Sequence, residues 1–485
     1  PEGVAEATTV NNRSVIVIDR GTGPHRVLYL AGRPNWEYKF LRRAVQEDNE
    51  TQLVGLIRIA RREGKFEFRG RTGESSNPLF RGFDNQSPEE VERYDQPVLV
   101  RLETEETNEL IGGFPKTAEE LFRYRAVIID DLEAEFFTAD QMTLLQRFVS
   151  ERGGSVLMLG GADSLAEGKY ARTPIGEMLP VYLDKSTTPG DGHPLRLSLT
   201  REGWLQPWAR LRRNEPEEQA RLGDLPPFEV LNHTGGVKPA AIVVATVNDG
   251  RNDYPALVTQ RFGRGRTAAL LIGDLWQSGL GHEARQADLG KAWRQLVRWL
   301  VADVPERLEL QAEPEAGGTL MRLKVRARDT KYRPMENASV VLTVQAPGAA
   351  EPIMLEAEAS AREPGVFETS YVPRNSGGYR VTAEVKDENG AVVGSARTGW
   401  ATDLAAAEFR TLIPNRALME NLARGTGGEV IAPDKLGDLV QRLPGKAAPI
   451  TETLTRPLWH TPWMFFFALG CLITEWGLRR WKGLP

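Results

Sequence analysis

Ser164 follows the glycine pair Gly160-Gly161, and His282-Glu283 stands later in the chain. A serine hydroxyl with a histidine base would support acyl transfer. That chemistry uses a strained G-x-S-x-G elbow, whereas the sequence here reads GADSLAEG. The alternative is that Ser164 caps a turn and His282 lies on a surface loop. Asp130-Asp131 close an apolar run. Paired carboxylates at such a place either contribute to a cation site, which normally needs more than two oxygen donors, or cap the next turn. His25, His193, His233, His282 and His460 are scattered without ligand spacing, so no zinc site is expected. Cys471 is the only cysteine, which excludes an intrachain disulfide and a cysteine-based zinc site.

Strands and turns must bring these residues together. Residues 27–31 (VLYLA) form a short apolar strand closed by Gly32. Residues 35–46 carry Trp36, Phe40, Leu41, Ala44 and Val45 at helical spacing. Residues 53–59, 126–129 and 155–159 read as further strands. Thr138 with Gln141 forms a capping-box start for a helix over 138–152, which Gly153-Gly154 ends. Strands alternating with helices predict an α/β fold with an open parallel sheet. Its strand ends would place Gly32, Arg33, Asp130, Asp131, Gly160, Gly161, Ser164 and Asp274 on one rim, where open α/β sheets bind ligands. The glycines there equally suit tight turns. Arg33, Trp36 and Lys39 would line the same rim and could grip an anion or a partner.

The α/β domain is expected over residues 25–305, with insertions at 61–120 and 180–235. A glycine-turn hairpin spans 256–272, and a helix over 287–302 closes the domain. Residues 1–24 read as the end of a preceding β domain. Residues 306–400 alternate apolar and polar side chains between turns rich in Pro, Gly, Asn and Asp, which predicts an immunoglobulin-like β-sandwich. Residues 401–457 read as a small helical segment and linker. Charged residues make up 26% of the 485 and the net charge is −5, so no nucleic-acid partner is expected. The basic run of Arg58, Arg61, Arg62, Lys65, Arg69 and Arg71 is balanced by Glu103, Glu105, Glu106 and Glu109 in the same insertion.

The phrases VLYLAGRPNWEYKFLRRAV, RYRAVIIDDLEAEFFTADQMTLLQRFVSERGGSVLMLGGADSL, QRFGRGRTAALLIGDLW and KAWRQLVRWL, with a tail ending EWGLRRWKGLP, set the order of motifs. This resembles the bacterial membrane proteins known as putative glutamine amidotransferases, found beside von Willebrand factor A and aerotolerance-type proteins. The resemblance covers residues 25–305 and the tail. It implies a class I amidotransferase-like, flavodoxin-like fold. It also implies envelope proteins as partners, including those of von Willebrand factor A type. Such chemistry requires a cysteine at the strand-to-helix elbow and a histidine–glutamate pair after a later strand. The elbow here is Leu159-Gly160-Gly161-Ala162, and the later strand ends in Asp274 without a histidine. The expectation is a binding or scaffolding module with no catalytic residue and no cofactor. The alternative is a hydrolase or amidotransferase with an unorthodox site near Gly160–Ser164.

Residues 458–478 have the length of a transmembrane helix, with Trp459 and Trp463 at one end and Trp476 and Trp481 at the other. Arg479, Arg480 and Lys482 follow directly. By the positive-inside rule residues 479–485 would be a cytoplasmic tail and the main body would be periplasmic or extracellular. A single span in the lipid bilayer of a bacterial inner membrane is therefore expected. The first residues, PEGVAEATTV, hold neither Met nor a signal peptide, so membrane segments upstream in a longer protein are also expected.

Overall fold

The computed structural model describes residues 15–18, 23–60, 98–183, 194–315, 320–402, 415–442 and 461–483. In chain order the first part reads β1 (His25–Ala31), α1 (Trp36–Gln46), β2 (Thr51–Ala60), β3 (Val98–Leu102), β4 (Ala126–Asp130), α2 (Ala139–Ser150), β5 (Ser155–Leu159), β6 (Arg196–Leu199), α3 (Glu215–Gly223), β7 (Ile242–Asn248), β8 (Asp253–Phe262), β9 (Gly265–Leu270) and α4 (Glu283–Val301), with short helical turns between. The strands form one sheet in the order β3-β2-β1-β4-β5-β9-β8-β7-β6.

The five central strands, from β2 to β9, are parallel. Every residue of β4 and β5 is buried, because helices cover both faces of the sheet there. The flanks differ from the expected parallel sheet. β3 pairs antiparallel with β2, and β9, β8, β7 and β6 run antiparallel in succession. β3 lies inside the expected 61–120 insertion and β6 inside the 180–235 insertion, so each contributes an edge strand. Most of the first insertion, residues 61–97, lies outside the described residues.

Sequence order along the sheet reverses between β1 and β4. That reversal opens a crevice at the carboxyl ends of the two strands. α1 starts there, capped by Asn35, whose side chain accepts from the Tyr38 backbone N–H. α2 starts at the expected capping box of Thr138 and Gln141. Removing the Thr138 hydroxyl in Thr138→Ala should cost about 1 kcal/mol of stability, read as a lowered denaturant midpoint.

The second part of this unit is wholly antiparallel. It comprises β10 (Leu308–Pro314), β11 (Met321–Ala327), β12 (Ser339–Gln345), β13 (Ile353–Ala359), β14 (Val366–Tyr371), β15 (Gly377–Lys386) and β16 (Val392–Thr402), ordered β10-β11-β14-β13-β12-β15-β16. β13 pairs with β12 through its first residues and with β14 through its last two, linking the two halves around one core. Tyr379 stacks on Trp400 in that core, with 4.9 Å between centroids. Val15–Ile18 take no strand conformation; the rest of the expected β end over 1–24, apart from residues 23–24, lies outside the described residues.

Arg152 ties the two parts together. Its guanidinium is buried and donates to the Phe122 carbonyl (3.2 Å), the Pro305 carbonyl (2.8 Å) and the Tyr332 hydroxyl (2.9 Å). It also lies 4.2 Å from the centroid of the Tyr332 ring. Burial pulls its pKa down to about 10.

The chain divides after residue 406 into a second unit. There the described helices are α5 (Arg416–Thr426), α6 (Leu436–Arg442) and α7 (Pro462–Trp481). The first part of the expected helical segment, residues 403–414, and most of the linker fall outside the described residues. α7 overturns the expected membrane span. Among the described residues no helix is long and apolar enough to cross a membrane. The charge-free stretch of α7 runs only from Pro462 to Thr474, about 20 Å at about 1.5 Å per residue, against about 30 Å of hydrocarbon. Glu475, Arg479 and Arg480 belong to the helix itself, and Glu475 pairs with Arg479 at 2.6 Å. The aromatic ends and basic flank imitate a span, but the run between them is too short. The inner-membrane location, the outward body and the cytoplasmic tail rested on that span and are not supported.

Candidate functional site

The structure brings the turns after β1, β4 and β5 side by side. Gly32 follows β1 and donates its backbone N–H to the Asp130 carbonyl at 3.0 Å. A Cβ at Gly32 would lie 1.8 Å from the Asp131 carbonyl oxygen, so the close approach of the two strand ends demands glycine. Asp131 adopts a left-handed φ of 45°. Its carboxylate accepts from the Asp163 backbone N–H at 2.7 Å and pairs with Arg33. These contacts hold the turn after β4 against the turn after β5.

Gly160 packs equally closely. A Cβ there would meet the Asn232 side-chain oxygen at 2.6 Å and the Leu271 carbonyl at 2.9 Å. Asn232 exchanges two hydrogen bonds of 2.9 Å with the Gly161 backbone. Both glycines therefore serve tight packing, and the Gly161 amide is already spent on Asn232. Asp274, after β9, accepts from the Glu229 backbone N–H at 2.7 Å. Its second oxygen is buried without a partner among the described residues, and burial raises its pKa.

Ser164 is buried, and its hydroxyl has no hydrogen-bond partner among the described residues. His282 sits exposed at the start of α4 and makes no side-chain cap. The structure thus places no base on the Ser164 oxygen. Among the described residues no group of three or more His, Cys, Asp or Glu side chains is placed to hold a metal ion.

Sequence reasoning missed the polar cluster beneath the rim. Asp130 is buried and accepts from the Tyr29 hydroxyl and from Asn35 Nδ2, the latter at 2.5 Å. Burial pushes the Asp130 carboxyl up to about 7, against the hydrogen bonds from Tyr29 and Asn35. The same burial, with Asp130 alongside, holds the Tyr29 phenol well above its ordinary range. Glu37, in the first turn of α1, is 8% exposed and one of its oxygens has no partner among the described residues. Burial, then the charges of Asp130, Asp131 and Asp274, push its carboxyl up to about 8. In sequence Tyr29 looks like an ordinary strand residue and Glu37 like a helix-start acid. Asn232 lay in a segment without readable periodicity.

Above this cluster the surface changes sign. Trp36 stacks on Trp276, with centroids 5.8 Å apart and planes at 19°. The Lys39 ammonium lies 4.3 Å from the centroid of the Trp36 ring. A groove beside α1 is lined by Trp36, Lys39, Arg43, Leu280 and Gln286, among others. Lys39 and Arg43 have no carboxylate partner among the described residues, and Trp36 and Leu280 are 44% and 43% exposed.

Residues 100–302 match the family described as "Putative glutamine amidotransferase". This part of the chain is amidotransferase-like. The amidotransferase-like region contains Asp130, Asp131, Gly160, Gly161, Ser164 and Asp274, whereas Gly32, Arg33 and α1 precede it. No functionally curated protein matches the chain. Three solved structures show faint similarity. A family 76 glycoside hydrolase from a bovine Bacteroides thetaiotaomicron strain is 9% identical over 20% of each chain, at a TM-score of 0.16. An exo-beta-1,4-mannosidase from Opitutaceae bacterium strain TAV5 is 11% identical over 56% of this chain and 35% of its own, at 0.28. A polysaccharide deacetylase from Bacillus cereus is 12% identical over 27% and 47%, at 0.16. The chain spans less than half the length of each, and likenesses this low bear on neither fold nor activity.

Proposed function

We propose that the amidotransferase-like region, together with β1 and α1 before it, is a non-catalytic binding module that holds an acidic segment of a partner protein in the groove beside α1. The observation that carries this reading is the content of the strand ends. Where class I amidotransferase chemistry would place a nucleophile and a base, the chain has Gly160-Gly161 and Asp274. Gly160 is packed against Asn232, the Gly161 amide is bonded to it, and Asp274 holds the Glu229 amide. The only cysteine, Cys471, belongs to α7 in the other unit.

The groove supports the choice of partner. Lys39 and Arg43 supply positive charge that has no ion-pair partner among the described residues, and Trp36 and Leu280 supply apolar contact at its edge. Aromatic and cationic side chains in one exposed patch are the usual makings of a binding hot spot. A protein of von Willebrand factor A type is the partner class that the sequence resemblance suggests.

Two measurements test the reading. Purified full chain should show no glutaminase or esterase turnover; turnover that disappears in Ser164→Ala would overturn the non-catalytic assignment. A photocrosslinker placed at Leu280 should capture a specific partner in cells of the source organism. Capture should fall at least tenfold in the double variant Lys39→Glu, Arg43→Glu. Capture unaffected by that charge reversal would refute the groove.

A further inference from the structure

A partly open apolar pocket lies between the antiparallel half of the sheet and α4, bordered by α3. Its volume is about 120 Å³. Leu199, Leu222, Leu257, Ile272 and Leu296 are among the apolar side chains of its walls. A dry cavity of about 150 Å³ lined by such side chains accepts benzene, so this one suits a single ring or a short branched chain.

The charge balance at the edge of the cavity indicates what that ring should carry. Arg212 is neutralised by Asp288 through two hydrogen bonds of 2.9 and 2.7 Å, and Arg221 by Glu218 at 2.6 Å. Arg285 has no carboxylate partner among the described residues. Among the described residues its buried Nε has no acceptor, and its only hydrogen bond is a long one of 3.5 Å to the Asp224 carbonyl. The Trp293 indole N–H, on the same wall, is buried and also lacks an acceptor among the described residues. The surplus is therefore of donors and positive charge beside an apolar void. A buried donor left unmatched costs free energy that an acceptor would recover.

We infer that this cavity is a binding site for a small apolar carboxylate, one aromatic ring or four to five carbons in size, with its carboxylate on Arg285. The site shares no lining residue with the groove beside α1, so a result at one leaves the other standing.

Benzoate is the probe and toluene the neutral control, both titrated into the full chain by ligand-observed NMR and calorimetry. Benzoate should bind at one site. Its affinity should fall at least tenfold in Arg285→Met, while toluene binding should survive. Ala292→Phe, which fills the space from α4, should abolish both without lowering the melting temperature of the unit by more than a few degrees. Where that variant does not fold, Ala292→Leu fills less of the same space and should weaken both ligands. Benzoate binding that persists unchanged in the folded filling variant would overturn the site. Toluene binding without benzoate binding would overturn the carboxylate class, and so would equal loss of both ligands in Arg285→Met.

Discussion

Arg152→Ala should lower the stability of the first unit by about 3–5 kcal/mol, the scale of removing one buried charged partner from a satisfied network. The side chain reaches three acceptors: Phe122 O, Pro305 O and the Tyr332 hydroxyl. Truncation strands the buried Phe122 carbonyl and removes the cation from the Tyr332 ring. Arg152→Lys should recover only part of the loss, because an ammonium on a flexible stem cannot reproduce the planar fork. Chemical denaturation monitored by Trp fluorescence provides the readout. A loss under about 1 kcal/mol would show that the two parts are joined mainly by other contacts, such as the Arg125–Glu306 pair.

Glu37→Gln should stabilise the protein, and only at high pH. Glu37 has its folded pKa raised by burial from 4.5 to about 8. Between those values the folded state holds a proton that the unfolded state has lost, so stability falls as pH rises through the window. Below it both states are protonated and the group contributes nothing; above it the full penalty is present. A shift of that size is worth at most ~5 kcal/mol. Partial solvent access reduces the expected gain of Glu37→Gln near pH 8.5 to ~2–3 kcal/mol, with almost none at pH 4. Asp130, raised to about 7, acts with the same sign. Its hydrogen bonds to Tyr29 and Asn35 make Asp130→Asn a less clean probe. Equal stability changes at the two pH values would refute the buried-proton account.

The ends of β4 and β5 were legible in the sequence. Apolar runs such as AVIID and SVLML stop at Asp131 and Gly160, and alternation with helices fixes the side on which they stop. What the rim residues do was not legible. Whether Gly160 faces a ligand or a neighbour depends on Asn232, about seventy residues away in a stretch without periodicity. The edge strands β3 and β6 escaped notice because an edge strand needs only one buried face and few apolar residues. The terminal helix misled for a different reason: tryptophans and a basic flank mark the ends of a span, but only the length of uncharged helix between them decides whether it can cross.

The central pairing of β5 with β9 also constrains how the protein folds. Ser155 lies opposite Arg266, so the middle of the sheet closes a loop of about a hundred residues. Doubling a loop of that kind costs only about 0.6 kcal/mol, which explains how the sheet accommodates the added strands β6, β7 and β8 without losing its centre. The cost appears instead as time. A sheet zipped through distant partners forms late. The β8–β9 hairpin, closed by the Gly263-Arg264 turn, is the local element around which that slow step would be organised.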